Sequence, residues 1–129
     1  MRIYLAARFD RGDEMRTVAA ALARAGHFVT SRWIHGRQNA PDLVSAVEDV
    51  EDLAGANCLV SFTEYPTQGV PWAARGGRHV EFGIALASGK RLCLVGPREN
   101  VFHHIPRVEV FIDVADLIDG LGARAEVSS

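Results

Sequence analysis

Residues 57–62, Asn-Cys-Leu-Val-Ser-Phe, constrain the fold more than any other stretch of the chain. The run lacks the polar–apolar alternation of a strand with one wet face, so both of its faces need cover. A strand buried on both faces belongs to a parallel sheet between layers of helix. Parallel neighbours are joined by long crossovers, so helices are expected on either side. The flanking sequence supplies them. Residues 2–7 (RIYLAA) form a first strand-like run. From Asp13 the residues Met15, Val18, Ala19, Leu22 and Ala23 share a helical face that Gly26 closes. Residues 27–32 read as a second strand and 33–40 as a polar loop. Pro41-Asp42 opens a second helix with Leu43, Val47, Val50 and Ala54 on its inner face and Asp49 and Asp52 beside it. After the strand at 57–62 come a long loop (63–75), a helix carrying Glu81 and a strand at 91–95 that Gly96-Pro97 breaks. A connection (101–106), a fifth strand (108–112) and a short helix from Asp113 to Leu121 follow, with a tail expected to fray from Gly122. This order predicts one α/β, Rossmann-like domain over residues 1–129: a parallel sheet of four or five strands with helices on both faces.

The chain has 129 residues, enough for one core, and a net charge of −2 that favours neither a nucleic-acid backbone nor an anionic membrane as partner. No apolar stretch reaches transmembrane length, and the chain starts directly in a strand-like run with no signal-peptide pattern. A cytoplasmic protein is expected. Cys58 and Cys93 each lie in an apolar run, as buried free thiols do, and isolated cysteines do not make a zinc site. The adjacent His103-His104 lacks metal-ligand spacing. No G-x-G-x-x-G follows the first strand and no G-K-[ST] occurs, so neither a dinucleotide nor a P-loop site is indicated. No metal or organic cofactor is expected.

Chemistry points to the helix around Glu81. Val80 to Ala87 is apolar on nearly every side, which predicts a buried helix, and Ser88-Gly89-Lys90 ends it. One carboxylate, Glu81, sits in what reads as its first turn. A carboxylate taken out of water is costly unless it is paired or used. The positive helix start is expected to help keep it ionised, and Gly76-Gly77 lets backbone N–H groups and a ligand approach closely. A charged, positioned carboxylate suits a nucleophile in glycosyl chemistry; the plainer alternative is a glutamate that complements the helix dipole. In open α/β sheets ligands bind beyond the carboxyl ends of the strands, which gathers residues 4–11, 63–77 and 96–104 around one crevice. Tyr4 either packs in the core or orients Glu81 through its hydroxyl. Asp49 and Asp52 offer a second carboxylate for cleavage of a glycosidic bond, Asp52 reading better as a solvated helix edge. Arg8 and Arg11 either hold a phosphate or are solvated, and Trp72 either stacks on a base or anchors the long loop.

Taken in order, Ile3-Tyr4-Leu5, Asp49-Val50-Glu51-Asp52-Leu53, Ala56-Asn57-Cys58-Leu59-Val60, Gly77-Arg78-His79-Val80-Glu81-Phe82-Gly83-Ile84-Ala85-Leu86-Ala87 and Asn100-Val101-Phe102 resemble the nucleoside 2-deoxyribosyltransferase superfamily. That superfamily includes the 2'-deoxynucleoside 5'-monophosphate N-hydrolases, and the similarity spans roughly residues 2–111. The resemblance implies a flavodoxin-like fold with Glu81 as nucleophile toward the anomeric carbon and Tyr4 orienting it. It implies that Asp49, with Asp52 as the alternative register, helps protonate the leaving base. It also implies that Asn100 is lent to the sugar site of a neighbouring subunit, which requires a homodimer or larger homo-oligomer with shared active sites. Arg8, Arg11, Gly77, His79, Trp72 and Phe102 complete the expected substrate contacts. Transferases of the family place a further aspartate shortly before the nucleophile; here Arg75 stands six residues before Glu81, and Asn57 replaces the usual Asp at the third strand. The expected substrates are 2'-deoxynucleosides, with transfer of the sugar to a free nucleobase. Hydrolysis of the 5'-monophosphates is the alternative within the enzyme class, and a non-catalytic nucleotide-binding domain the alternative outside it.

Overall fold

Five parallel strands form one sheet in the order β2-β1-β3-β4-β5, where β1 is Arg2–Ala6, β2 Phe28–Val29, β3 Cys58–Phe62, β4 Arg91–Val95 and β5 Val108–Phe111. This is the flavodoxin-like strand order. The computed structural model describes residues 1–65 and 76–128, with side chains through residue 122. Four helices connect or follow the strands: α1 (Gly12–Arg24), α2 (Asp42–Ala54), α3 (Gly77–Ala87) and α4 (Val114–Ser128). Right-handed crossovers place α1, which leads from β1 outward to β2, on one face, and α2 and α3, which lead the other way, on the opposite face. All five residues of β3 are buried, as a strand covered on both faces must be. The order reverses between β1 and β3, so the crevice for a ligand opens above their carboxyl ends.

Several boundaries differ from the sequence reading, each for a physical reason. The second strand, expected over 27–32, contains only Phe28 and Val29. Beyond them side chains replace the ladder: the Leu5 N–H donates to Ser31 Oγ (3.2 Å), and the Leu5 carbonyl accepts from Trp33 Nε1 (2.8 Å). With β1 satisfied in this way, the chain turns into a 3₁₀ segment at Arg32–His35 that buries Trp33 and Ile34, inside what reads from sequence as a polar loop. Asp52 is not a solvated edge. It is 8% exposed, and its carboxylate accepts from the Arg32 backbone N–H (2.9 Å) and from Arg32 Nε (2.9 Å). α4 continues to Ser128, through the tail expected to fray.

The apolar stripe of α2 does not face the core. Leu43 is 75% exposed, Val47 49% and Val50 52%, Ala54 is exposed too, and only Asp52 and Leu53 of this helix are buried. α3, expected to be buried all round, sinks only Phe82 and Ala85 and exposes Val80. Periodicity reports that a face is apolar, not what covers it. Cys58 and Cys93 are buried free thiols, as expected. No helix among the described residues is long and apolar enough to cross a membrane. Leu59 sits fully buried in β3, between β1 and β4. Leu59→Ala is expected to cost about 2–5 kcal/mol of stability in urea titrations, from lost burial and the cavity left behind.

Candidate active site

The side chains of β1 alternate between the two faces, and Tyr4 points to the α3 side. It is fully buried, and its hydroxyl donates to Oε2 of Glu81. Burial and contact hold at once: the Tyr4 ring is core and its hydroxyl reaches Glu81. Burial, and then the charge of Glu81, push the Tyr4 hydroxyl strongly upward, which keeps it a donor across the physiological range.

Glu81 sits one turn further into its helix than the sequence suggests. α3 starts at Gly77, after Gly76 takes a left-handed turn at φ 73° that favours glycine, so no acidic residue lies in its first turn. The helix-end field fades within that turn. The expected dipole support is accordingly outweighed. Burial pushes the Glu81 carboxyl from 4.5 up to about 7, the Tyr4 hydrogen bond works against that rise, the charge of Asp49 adds to it, and that of Arg37 opposes it.

Glu81 opens on a cavity of about 850 Å³ above the end of β1, at the point where the strand order reverses. That volume suits a nucleoside. Arg8, Asp49 and Gly77 line it as expected, together with Phe9, Trp33, Arg37 and Arg78, which the sequence reading did not single out. Phe9 and Trp33 form the aromatic wall, with ring centroids 6.1 Å apart. Trp72, the aromatic expected there, and Arg75 lie outside the described residues. Asp49, not Asp52, faces the cavity, and both of its oxygens accept from the fork of Arg37 (2.8 and 2.7 Å). A carboxyl held at both oxygens is an acceptor; handing a proton to a leaving base requires one arm of that bridge to open. Arg78 pairs with Glu99, which ties the start of α3 to the loop after β4.

The remaining candidates are elsewhere. The expected crevice included residues 96–104, but none of them lines this cavity. The Asn100 side chain caps the 3₁₀ segment Val101–His104 by accepting from Phe102 N–H (3.0 Å), and its amide lies 3.4 Å from His79 Nδ1. His79 faces His103 on that side, and burial lowers the His79 ring below its ordinary value. Phe102 is exposed. Arg11 does not line the cavity; its fork is taken by Glu14 (2.8 and 2.7 Å), with Glu64 alongside. Arg37 carries no mark of a site residue in the sequence. It looks like one cation in a polar loop until α2 is packed beside that loop. Among the described residues no cluster of metal-ligating side chains occurs.

The fold is shared with solved enzymes. The chain is similar to the CMP N-glycosidase BcmB of Clostridium botulinum, with 16% identity, 95% of this chain and 99% of that chain covered and a TM-score of 0.61. It is also similar to a 2-deoxyribosyltransferase of Bacillus psychrosaccharolyticus, with 20% identity, coverage of 92% and 91% and a TM-score of 0.70. At these identities the likeness establishes the fold. No protein-family model and no curated protein matches the sequence.

The strained ionisation of Glu81 has a stability signature. Its folded value, about 7, lies above the ordinary 4.5. A group raised in the fold lends its stability at low pH and loses it as pH climbs to the folded value. Glu81→Gln keeps an acceptor for Tyr4 and cannot ionise. This variant is expected to match the parent below pH 4.5 and to exceed its stability above pH 7 by on the order of 1–3 kcal/mol, measured by urea unfolding across pH.

Proposed function

We propose that the protein cleaves the N-glycosidic bond of a 2'-deoxynucleoside and transfers the deoxyribose to another base through an ester on Glu81. The observation that carries this reading is the Glu81 carboxylate, hydrogen-bonded by a buried tyrosine and set in the wall of a nucleoside-sized cavity at the switch point of the sheet. A Glu81 oxygen attacks C1', the C1'–N bond breaks, and the base leaves with the bonding electrons and takes up a proton. A second base then attacks C1' from the face the first one left and releases the carboxylate. Two displacements retain the configuration. The missing 2'-hydroxyl eases the oxocarbenium-like transition state, which suits deoxy substrates. Tyr4 holds the attacking oxygen, and Phe9 and Trp33 offer an aromatic surface to the base. Asp49 is assigned to the departing base, with one arm of its bridge to Arg37 opened.

A second reading is hydrolysis of a 2'-deoxynucleoside 5'-monophosphate, with water as acceptor. The cavity wall holds Arg8, whose partner is the exposed Asp10, so its guanidinium is available to a phosphate. Incubation with deoxynucleosides and their monophosphates, with and without a free base, separates the two by chromatography of the products. Glu81→Gln is expected to lower base release at least about a thousandfold, and Tyr4→Phe about a hundredfold through misplacement of the nucleophile. Activity retained in Glu81→Gln removes the ester from the mechanism. Under the monophosphate reading, Arg8→Ala raises KM for the nucleotide and not for the nucleoside.

The working unit in this reading is a homodimer. Leu43, Val47 and Val50 present an uncovered apolar stripe beside the cavity, and Asn100 stands outside the cavity of its own subunit next to exposed Val101 and Phe102. A second copy that covers the stripe and delivers Asn100 accounts for both. Val47→Glu is expected to halve the mass measured by light scattering and to reduce base release with it. A parent protein that is monomeric and fully active overturns the shared site.

A further inference from the structure

Two carboxylates, Asp49 and Glu81, share one cavity wall, an arrangement in which like charges ordinarily compete for a single proton. Arg37 stands between that outcome and the observed site. Both arms of its guanidinium grip Asp49, at 2.8 and 2.7 Å, and its face lies over the Phe9 ring with the guanidinium carbon 5.6 Å from the centroid. The backbone is bent to put it there. Gly36, Gln38 and Asn39 all have left-handed φ (95°, 48° and 60°), which glycine and asparagine accept and which is unfavourable for Gln38, and the Ala40 N–H closes the turn on the Arg37 carbonyl at 2.9 Å. The segment is anchored at its other end by the grip of Asp52 on Arg32.

We propose that Arg37 is the positioning residue of this site: its fork holds Asp49 in place, and its charge offsets Asp49 so that Glu81 can stand as a carboxylate in the same cavity. The proposal deepens the glycosyl-transfer reading and rests on it for its catalytic meaning. The charged neighbours of Glu81 support the assignment. Tyr4 on β1 donates to it, Asp49 on α2 disfavours its charge, and Arg37 favours it. Of the other described cavity cations, Arg78 on α3 is engaged by Glu99, while Arg8 after β1 pairs with the exposed Asp10 and stays open to solvent. Among the described residues, Arg37 is the cation whose charge acts on both Tyr4 and Glu81.

Two measurements on the full chain test this. The first is the 13C NMR titration of the Glu81 carboxyl, assigned by its loss in Glu81→Gln. The second is the pH profile of kcat/KM for base release. Arg37→Gln is expected to raise the Glu81 midpoint by about one pH unit, because an opposite charge has been removed from its surroundings. Activity then falls about fivefold at pH 7 and recovers at pH 9, a rescue that misfolding or a lost packing contact would not produce. Arg37→Lys keeps the charge and the midpoint while losing the fork. Asp49→Asn moves the midpoint the opposite way, downward, and provides the decisive comparison should Arg37→Gln fold poorly. A midpoint unchanged in Arg37→Gln, or raised in Asp49→Asn, overturns the role of Arg37. If the midpoints move as expected while base release ignores Glu81→Gln, the charge relation stands and the ester mechanism falls.

Discussion

The site depends on one hydrogen bond, from the Tyr4 hydroxyl to the Glu81 carboxylate. It joins the strand next to the centre of the sheet to a helix on its α2–α3 face, so the position of the carboxylate inherits the rigidity of the core. The bond does not make the carboxylate comfortable. Burial outweighs it, and Glu81 is lifted to about 7. A group buried against its own preference costs stability whenever it ionises. In water the same carboxylate would be ionised and solvated, with no fixed direction.

α2 shows how one helix divides its acids between a buried structural contact and the cavity wall. Asp52 grips Arg32 at the start of the 3₁₀ turn, and Asp49, one turn earlier, grips Arg37 just after that turn. The segment from 32 to 37 is therefore fastened to α2 at two points. The first is spent on the fold. The second lies in the cavity wall, where the charges of Asp49 and Arg37 act on Glu81 in opposite senses. The Ser31 and Trp33 hydrogen bonds that end β2 early belong to the same device, because they release the chain to make this turn.

Much of the architecture was legible because burial on both faces leaves a mark in sequence. The run at 57–62 demanded a parallel sheet and with it helical crossovers, and the resemblance added the flavodoxin-like order. Glu81 was legible too, as the one acid in an apolar helix, and the resemblance paired it with Tyr4. The errors share a cause. The stripe of α2 and the apolar sides of α3 were assigned to the core because hydrophobic period cannot distinguish a core from a surface awaiting a partner. Asp52 looked solvated because sequence does not show that the Arg32 backbone would arrive beside it. Residues 96–104 were placed at the crevice by a rule about strand ends, yet Arg78–Glu99 and Asn100–His79 fasten that segment to the other side of the α3 start.

The sequence by itself determined the layering of the fold and the identity of the buried acid, because both are consequences of where apolar side chains must go. Only the tertiary structure decided the charge relations of the site. Whether Glu81 lies in the first or second turn, which aspartate of α2 faces it, and that Arg37 offsets that aspartate all depend on approaches of a few ångströms between segments far apart in the chain. Electrostatic energies depend on those distances and on desolvation, and neither is written in residue order.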